Sequence, residues 1–155
     1  MSLATESRLL FEERHFPRAY YLAHMSTEES AKSILLRTMS ISGTPESEVS
    51  KVTRLLRDHK KKIEFLVTYA ASMSEELQAQ LGELQGNLID HINDLKNDTM
   101  YVSYKARSVA TPAEKIAAID VERYVQLAEV LSQHATSFLT PPSSGQPSAA
   151  AHVER

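Results

Sequence analysis

Very little in this chain can interrupt a helix. Its 155 residues include four glycines and six prolines, and three of the prolines, Pro141, Pro142 and Pro147, fall near the C-terminus. The other three, Pro17, Pro45 and Pro112, stand where helices can begin, because proline's fixed φ suits the first helical turn. Long stretches without breakers, carrying apolar residues at steps of three and four, predict an all-α fold. The expected architecture is a bundle of about five helices.

The first helix is expected over residues 4–15. Pro17 opens a second that runs to about Ser40. Ser42-Gly43-Thr44-Pro45 then reads as a stop, a turn, an N-cap and a new first turn. A third helix is expected from Pro45 to Ala71, and a fourth from Ser72 or Ser74 to Leu95. Residues 96–111 look irregular. Thr111-Pro112-Ala113-Glu114 combines a capping box with proline at the first helical position, and it opens a last helix ending near Phe138. Residues 1–139 form a single helical domain in this reading. Residues 140–155 are rich in Pro, Ser and Ala without an apolar period, which predicts a disordered tail.

Apolar spacing supports the helices. Val121, Tyr124, Ala128, Leu131, Ala135 and Phe138 make one stripe in the last. Leu77, Leu81, Leu84, Leu88 and Leu95 step along the fourth, with His91 in the gap. Val52, Leu56, Ile63, Leu66 and Ala70 step along the third, with His59 in the gap. The second helix carries two lines. One runs through Phe16, Tyr20, Ala23, Thr27, Ala31 and Ile34, and the other through Leu22, Met25 and Leu36. Two apolar lines predict a central helix with neighbours on both sides.

Composition excludes several functions. There is no cysteine, so no disulfide framework, thiolate metal site or cysteine nucleophile exists. That suits a reducing cytosol. The N-terminal segment is charged, unlike a signal peptide, and no run of apolar residues is long enough to span a membrane. The expected location is the cytoplasm. Net charge is −3, so contact with nucleic acid would need a local basic patch. A carboxylate-bridged di-metal bundle repeats Glu-x-x-His on two helices. Here that spacing occurs once, at Glu12-Glu13-Arg14-His15, so no metal and no other cofactor is expected. A glycine-rich phosphate loop and a nucleophile elbow are both absent.

The informative residues are polar ones within apolar stripes, since burying charge without partners is costly. Glu29 and Lys32 fall on the Leu22–Met25–Leu36 line. Three apart, they pair on one helix face, either as a partly exposed ion pair or as half of a site completed by another helix. His59 is the natural second half, with Lys62 beside it on a helix and Lys60 and Lys61 splayed outward. The plainer alternative for His59 is a core histidine bonded to the backbone.

These segments resemble a known family. The run RHFPRAYYLAHMSTEESAKSILL resembles the proline-led, Ala-rich helix with Glu-Glu-x-x-Lys of AbiV-type abortive infection proteins. DHKKKIEFL resembles that family's His-Lys-x-Lys segment. LKNDTMYVSY, followed by a proline-led helix, resembles its Leu-Lys-x-x-x-x-Tyr-Val segment. The three occur in the family's order across roughly residues 10–130. Ser30-Ala31 departs from the pattern, which has a glycine next to the lysine. The resemblance implies membership of the HEPN superfamily of small helical proteins, many of them metal-independent endoribonucleases of toxin and phage-defence systems. It also implies a homodimer, RNA as a target, and a phage or antitoxin protein as a partner.

HEPN ribonucleases carry an Arg-x4–6-His motif at the dimer interface. Arg54 to His59 fits that spacing, and so does Arg18 to His24. On one continuous helix, residues five apart differ by about 140°. Arg54 and His59 therefore converge only if the helix breaks between them or a second subunit supplies one. In a metal-free cut the RNA's own 2′-hydroxyl attacks. His59 would act as general base or acid, and Arg54 or Arg57, with Lys62, would stabilise phosphate charge. Glu29 would orient His59 or Lys62, Lys32 would add positive field, and Lys96 and Tyr101 would touch substrate. The competing reading is a non-catalytic helical interaction module, antitoxin-like or regulatory, whose polar cluster only fixes helix register.

Overall fold

The computed structural model describes residues 2–73, 88–105 and 108–139. Helix α1 spans Leu3–Glu12, α2 Phe16–Ser42, α3 Glu46–Leu55, α4 His59–Met73 and α5 Leu88–Met100. Two short strands follow, β1 over Ser103–Lys105 and β2 over Ser108–Ala110. A single turn, α6, spans Pro112–Lys115, and α7 spans Ala118–Leu139. The described residues are thus mainly helical, as the scarcity of breakers predicts. The expected start of the fourth helix, with Leu77, Leu81 and Leu84, and the expected tail 140–155 lie outside the described residues.

Each helix end has a local cause. Ser2 caps α1 by accepting from the Thr5 N–H at 3.2 Å. Gly43 takes a left-handed conformation, φ 62°, at the end of α2, and the Thr44 N–H reaches back to the Met39 carbonyl at 3.1 Å. This is the glycine-terminated closure that satisfies a helix's last carbonyls. Arg14 closes α1 the same way without glycine's freedom, at φ 62°. Thr111 and Glu114 form the expected capping box, but the helix it opens stops after one turn.

Two further expectations about elements need correction. The single third helix over 45–71 is broken: α3 ends at Leu55, and α4 starts at His59. Asp58 is the cause. Its side chain accepts from the Lys61 N–H at 3.2 Å, so it starts a new helix. The irregular segment 96–111 contains the end of α5 and an antiparallel hairpin, with Tyr104 opposite Val109.

Helix α2 is the axis of the fold. It packs along α7 and also touches α1, α4 and α5. Ala19, Ala23 and Ala31 of α2 and Ala128 and Ala135 of α7 are buried, and small side chains let helices approach closely. Tyr20, Ile34, Val121, Val125 and Leu131 fill the space between them, each contributing about 1.5–3 kcal/mol by burial. The Tyr20 and Tyr124 rings stack with centroids 4.7 Å apart, and Tyr20 Oη donates to the Ile92 carbonyl at 3.1 Å. Arg8 Nε donates to Glu129 at 3.0 Å, tying α1 to α7. The first apolar line of α2 is therefore core. The second is not: Leu22 and Met25 are half-buried and Leu36 is 47% exposed. Beside its first line α2 buries Ala19 and Met39 and four polar residues, His24, Ser26, Glu28 and Ser30. Among the described residues no helix is long and apolar enough to cross a membrane.

Candidate functional site

The break before His59 and the buried polar strip of α2 together make the site. His24 and Glu28 are four apart, so they share a face of α2. His59 is the first residue of α4, and Lys62 follows one turn later, so both project from the same end of that helix. The four side chains meet on the Glu28 carboxylate. His24 Nε2 lies 2.9 Å from Glu28 Oε1, and His59 Nδ1 bonds the same oxygen. Lys62 Nζ donates to Oε2 at 2.5 Å. His24, Glu28 and Lys62 are buried, whereas the His59 side chain is 49% exposed. The cluster thus runs from the core to the surface and ends on an accessible imidazole.

The electrostatics fix which atoms donate. Burial alone would raise the Glu28 carboxyl, but hydrogen bonds from His24, Lys62 and His59 outweigh it and hold the group well below the usual carboxylate range. Glu28 is therefore ionised and accepts only. Both imidazole atoms facing it must carry hydrogen. For His59 that places the proton on Nδ1 and leaves Nε2 as a lone-pair acceptor in the neutral ring. Burial lowers His24, against the pull of Glu28, with the Lys96 and His59 charges lowering it further. His24 is thus a neutral donor whose Nδ1 faces Tyr124 Oη at 3.4 Å. Burial raises Tyr124, so its hydroxyl keeps the proton that Nδ1 accepts.

Of the expected site residues, His59 and Lys62 come together as the α4 spacing suggests. The carboxylate that meets them is Glu28, not Glu29. Relative to Tyr20 on the helix wheel, Glu28 lies about 80° away and Glu29 about 180° away. Glu29 therefore faces out and pairs with Lys32 at 2.5 Å, with both partly exposed. This is the simple ion pair of the two readings. Lys96, half-buried on α5, is near enough for its charge to act on His24. Tyr101 is 62% exposed at the foot of the hairpin, and its carbonyl accepts from Lys115 at 3.4 Å.

Arg54 and Arg57 are exposed, on the last turn of α3 and in the break. Neither has an acidic partner among the described residues. The helix break that their convergence with His59 requires is present. Arg18 is exposed and His24 buried, so the other Arg-to-His spacing does not form one surface. Arg54, Arg57, Lys60 and Lys61 make the turn and the start of α4 a local basic apex on an acidic protein. Beside it a cavity of about 360 Å³ opens between α2, α3 and α4, walled by Leu35, Val52, Leu56 and Phe65 and edged by Lys61 and Lys62.

Sequence reasoning missed Glu28 and the role of Tyr124. A signal existed: His24 and Glu28 are at i and i+4 beside the Tyr20–Thr27–Ala31 line, a spacing that pairs them. As possible metal ligands, His24, Glu28 and His59 offer two nitrogens and an oxygen, all within 4.8 Å of one another.

A family model described as AbiV, of the HEPN group, matches residues 1–133. No curated protein and no solved structure matches the chain.

Proposed function

The chain belongs to the AbiV family of HEPN proteins, and on that premise we propose that it is an abortive-infection effector that arrests growth by acting on RNA, with His59 as the group that moves the proton. The observation that carries this reading is the Glu28–His59 pair at the edge of the core. An ionised, buried carboxylate holds Nδ1 of a half-exposed imidazole. A carboxylate placed this way fixes the tautomer and steadies the cation that forms when Nε2 takes a proton. His59 Nε2 would then take the proton of an RNA 2′-hydroxyl as that oxygen attacks the adjacent phosphorus. The leaving 5′-oxygen departs and takes a proton from an imidazolium or water. Arg54 and Arg57 would bind the phosphate and offset its growing charge. Lys62 is committed to Glu28 and positions it rather than touching substrate. The cavity beside the apex, with Phe65 in its wall, would accept a base, since single-stranded RNA is recognised by stacking unpaired bases on aromatic side chains. A cytoplasmic setting and a homodimer fit this role.

A second reading has its own support. Every member of the buried cluster is satisfied, as a network that only fixes helix register would be. One experiment separates the two. Wild type and His59→Ala are purified, shown to be equally folded, and incubated with total RNA in EDTA, and each is also expressed from an inducible promoter. The effector reading predicts that wild type cuts RNA and stops growth while His59→Ala does neither. If neither protein cuts RNA and both arrest growth alike, the ribonuclease role of His59 fails.

A further inference from the structure

The same cluster has the composition of a metal site, and its parts exceed what orienting one histidine requires. We propose that His24, Glu28 and His59 bind a divalent first-row transition-metal ion of the zinc class through His24 Nε2, Glu28 Oε1 and His59 Nδ1. Two imidazoles and one carboxylate suit such ions. The three atoms already lie within 4.8 Å of one another. The outer contacts are also in place. Histidine ligands usually pass their second ring N–H to an acceptor that fixes the ring, and Tyr124 Oη sits opposite His24 Nδ1. Lys62 holds Glu28 Oε2 at 2.5 Å, which leaves Oε1 as a single donor. The His59 side chain is 49% exposed, so the cluster meets solvent on that side.

Protons balance within the two rings. On binding, His24 Nε2–H and His59 Nδ1–H give up their hydrogens to become lone-pair donors. His24 Nδ1 takes one up and donates it to Tyr124 Oη, whose own hydrogen turns to the Thr27 hydroxyl beside it, and His59 Nε2 takes up the other on the solvent side. Three coordinate bonds replace the two imidazole hydrogen bonds to Glu28. The consequence for chemistry follows directly. With the ion bound, His59 Nε2 carries hydrogen and no longer accepts one, so the ion is an off-switch for the base. This consequence rests on the proposed RNA chemistry, whereas binding does not. Lys62 opposes the ion by charge, which makes the site moderate in affinity and releasable.

The test reads metal directly. The full chain is freed of metal with EDTA and desalted. It is titrated with Co(II), followed by visible absorption, and with Zn(II) against a chromophoric chelator. One ion per chain is expected. His59→Ala should bind about 100-fold more weakly and Tyr124→Phe about tenfold more weakly, whereas Lys62→Gln should bind about tenfold more tightly. The variants are checked for native helix content by circular dichroism. If His59→Ala does not fold, Tyr124→Phe and Lys62→Gln carry the comparison. Absence of binding by wild type, or wild-type affinity in the folded ligand and outer-contact variants, overturns the site. Zn(II) should also slow RNA cutting by wild type, and EDTA should restore it. Cutting in EDTA without any metal binding refutes this site alone. Metal binding without cutting in EDTA refutes the RNA reading alone.

Discussion

At the scale of residues, two neighbouring glutamates have opposite fates. Glu28 is buried among three donors, and Glu29 pairs with Lys32 near solvent. Glu28→Gln leaves Lys62 and two imidazoles facing a neutral amide, and should cost about 3–5 kcal/mol. Glu29→Ala should cost less than about 0.5 kcal/mol. Urea denaturation of both variants measures the contrast. Sequence periodicity selected the wrong member because it followed apolar neighbours. Leu22 and Met25 drew attention to the face carrying Glu29, although these side chains are only half-buried. Glu28 was concealed because two of its partners, His59 and Lys62, come from a helix whose start no apolar period marks.

The same residues set a pH dependence in metal-free protein. Burial holds His24 below its unfolded value, and the cluster's hydrogen bonds hold Glu28 below its own. In both cases the unfolded chain binds more protons, so stability rises with pH across the window between the folded and unfolded values. The His24 contribution is complete above about pH 6.5 and is lost as pH falls below it. The Glu28 contribution is lost only below about pH 4.3. Denaturation midpoints in EDTA should therefore fall in two stages on acidification, and His24→Gln should remove the upper one.

At the scale of elements, legibility followed the strength of local signals. α7 was readable because Val121, Tyr124, Ala128, Leu131 and Ala135 keep one unbroken stripe, and all five are buried. The break between α3 and α4 was not readable from period alone. Leu56 and Ile63 are seven apart and stay in phase across it, and the one stop signal is the capping side chain of Asp58. The hairpin escaped notice because Ser103–Lys105 and Ser108–Ala110 are too short to show alternation. Asp58 has a consequence for the site, since it fixes where α4 starts and hence where His59 points. Asp58→Ala should cost about 1 kcal/mol of stability. If His59 orientation depends on that cap, RNA cutting should fall by more than the loss of folded protein explains. Rates measured well below the melting temperature separate the two effects.

At the scale of the whole molecule, an acidic bundle presents a basic apex where two helices meet. Helix α2 supplies a buried anion, α4 supplies the groups that neutralise it, and α7 supplies Tyr124 behind them. The apex carries cations without making the protein a general polycation. RNA binding should therefore be local and salt-dependent. Removing Arg54 and Arg57 together should weaken binding and reduce the slope of log affinity against log salt by about 1–2. Titrations of labelled single-stranded RNA at several salt concentrations measure this. An unchanged slope would place the RNA surface elsewhere.

An ionised Glu28 in the core dictates the proton arrangement of an imidazole at the surface. Nitrogen-15 NMR of the histidine side chains in metal-free protein measures it most directly. The neutral His59 ring should carry hydrogen on Nδ1 with a bare Nε2, and should lose that preference in Glu28→Gln. A His59 ring carrying its hydrogen on Nε2, or one unaffected by Glu28→Gln, would contradict it.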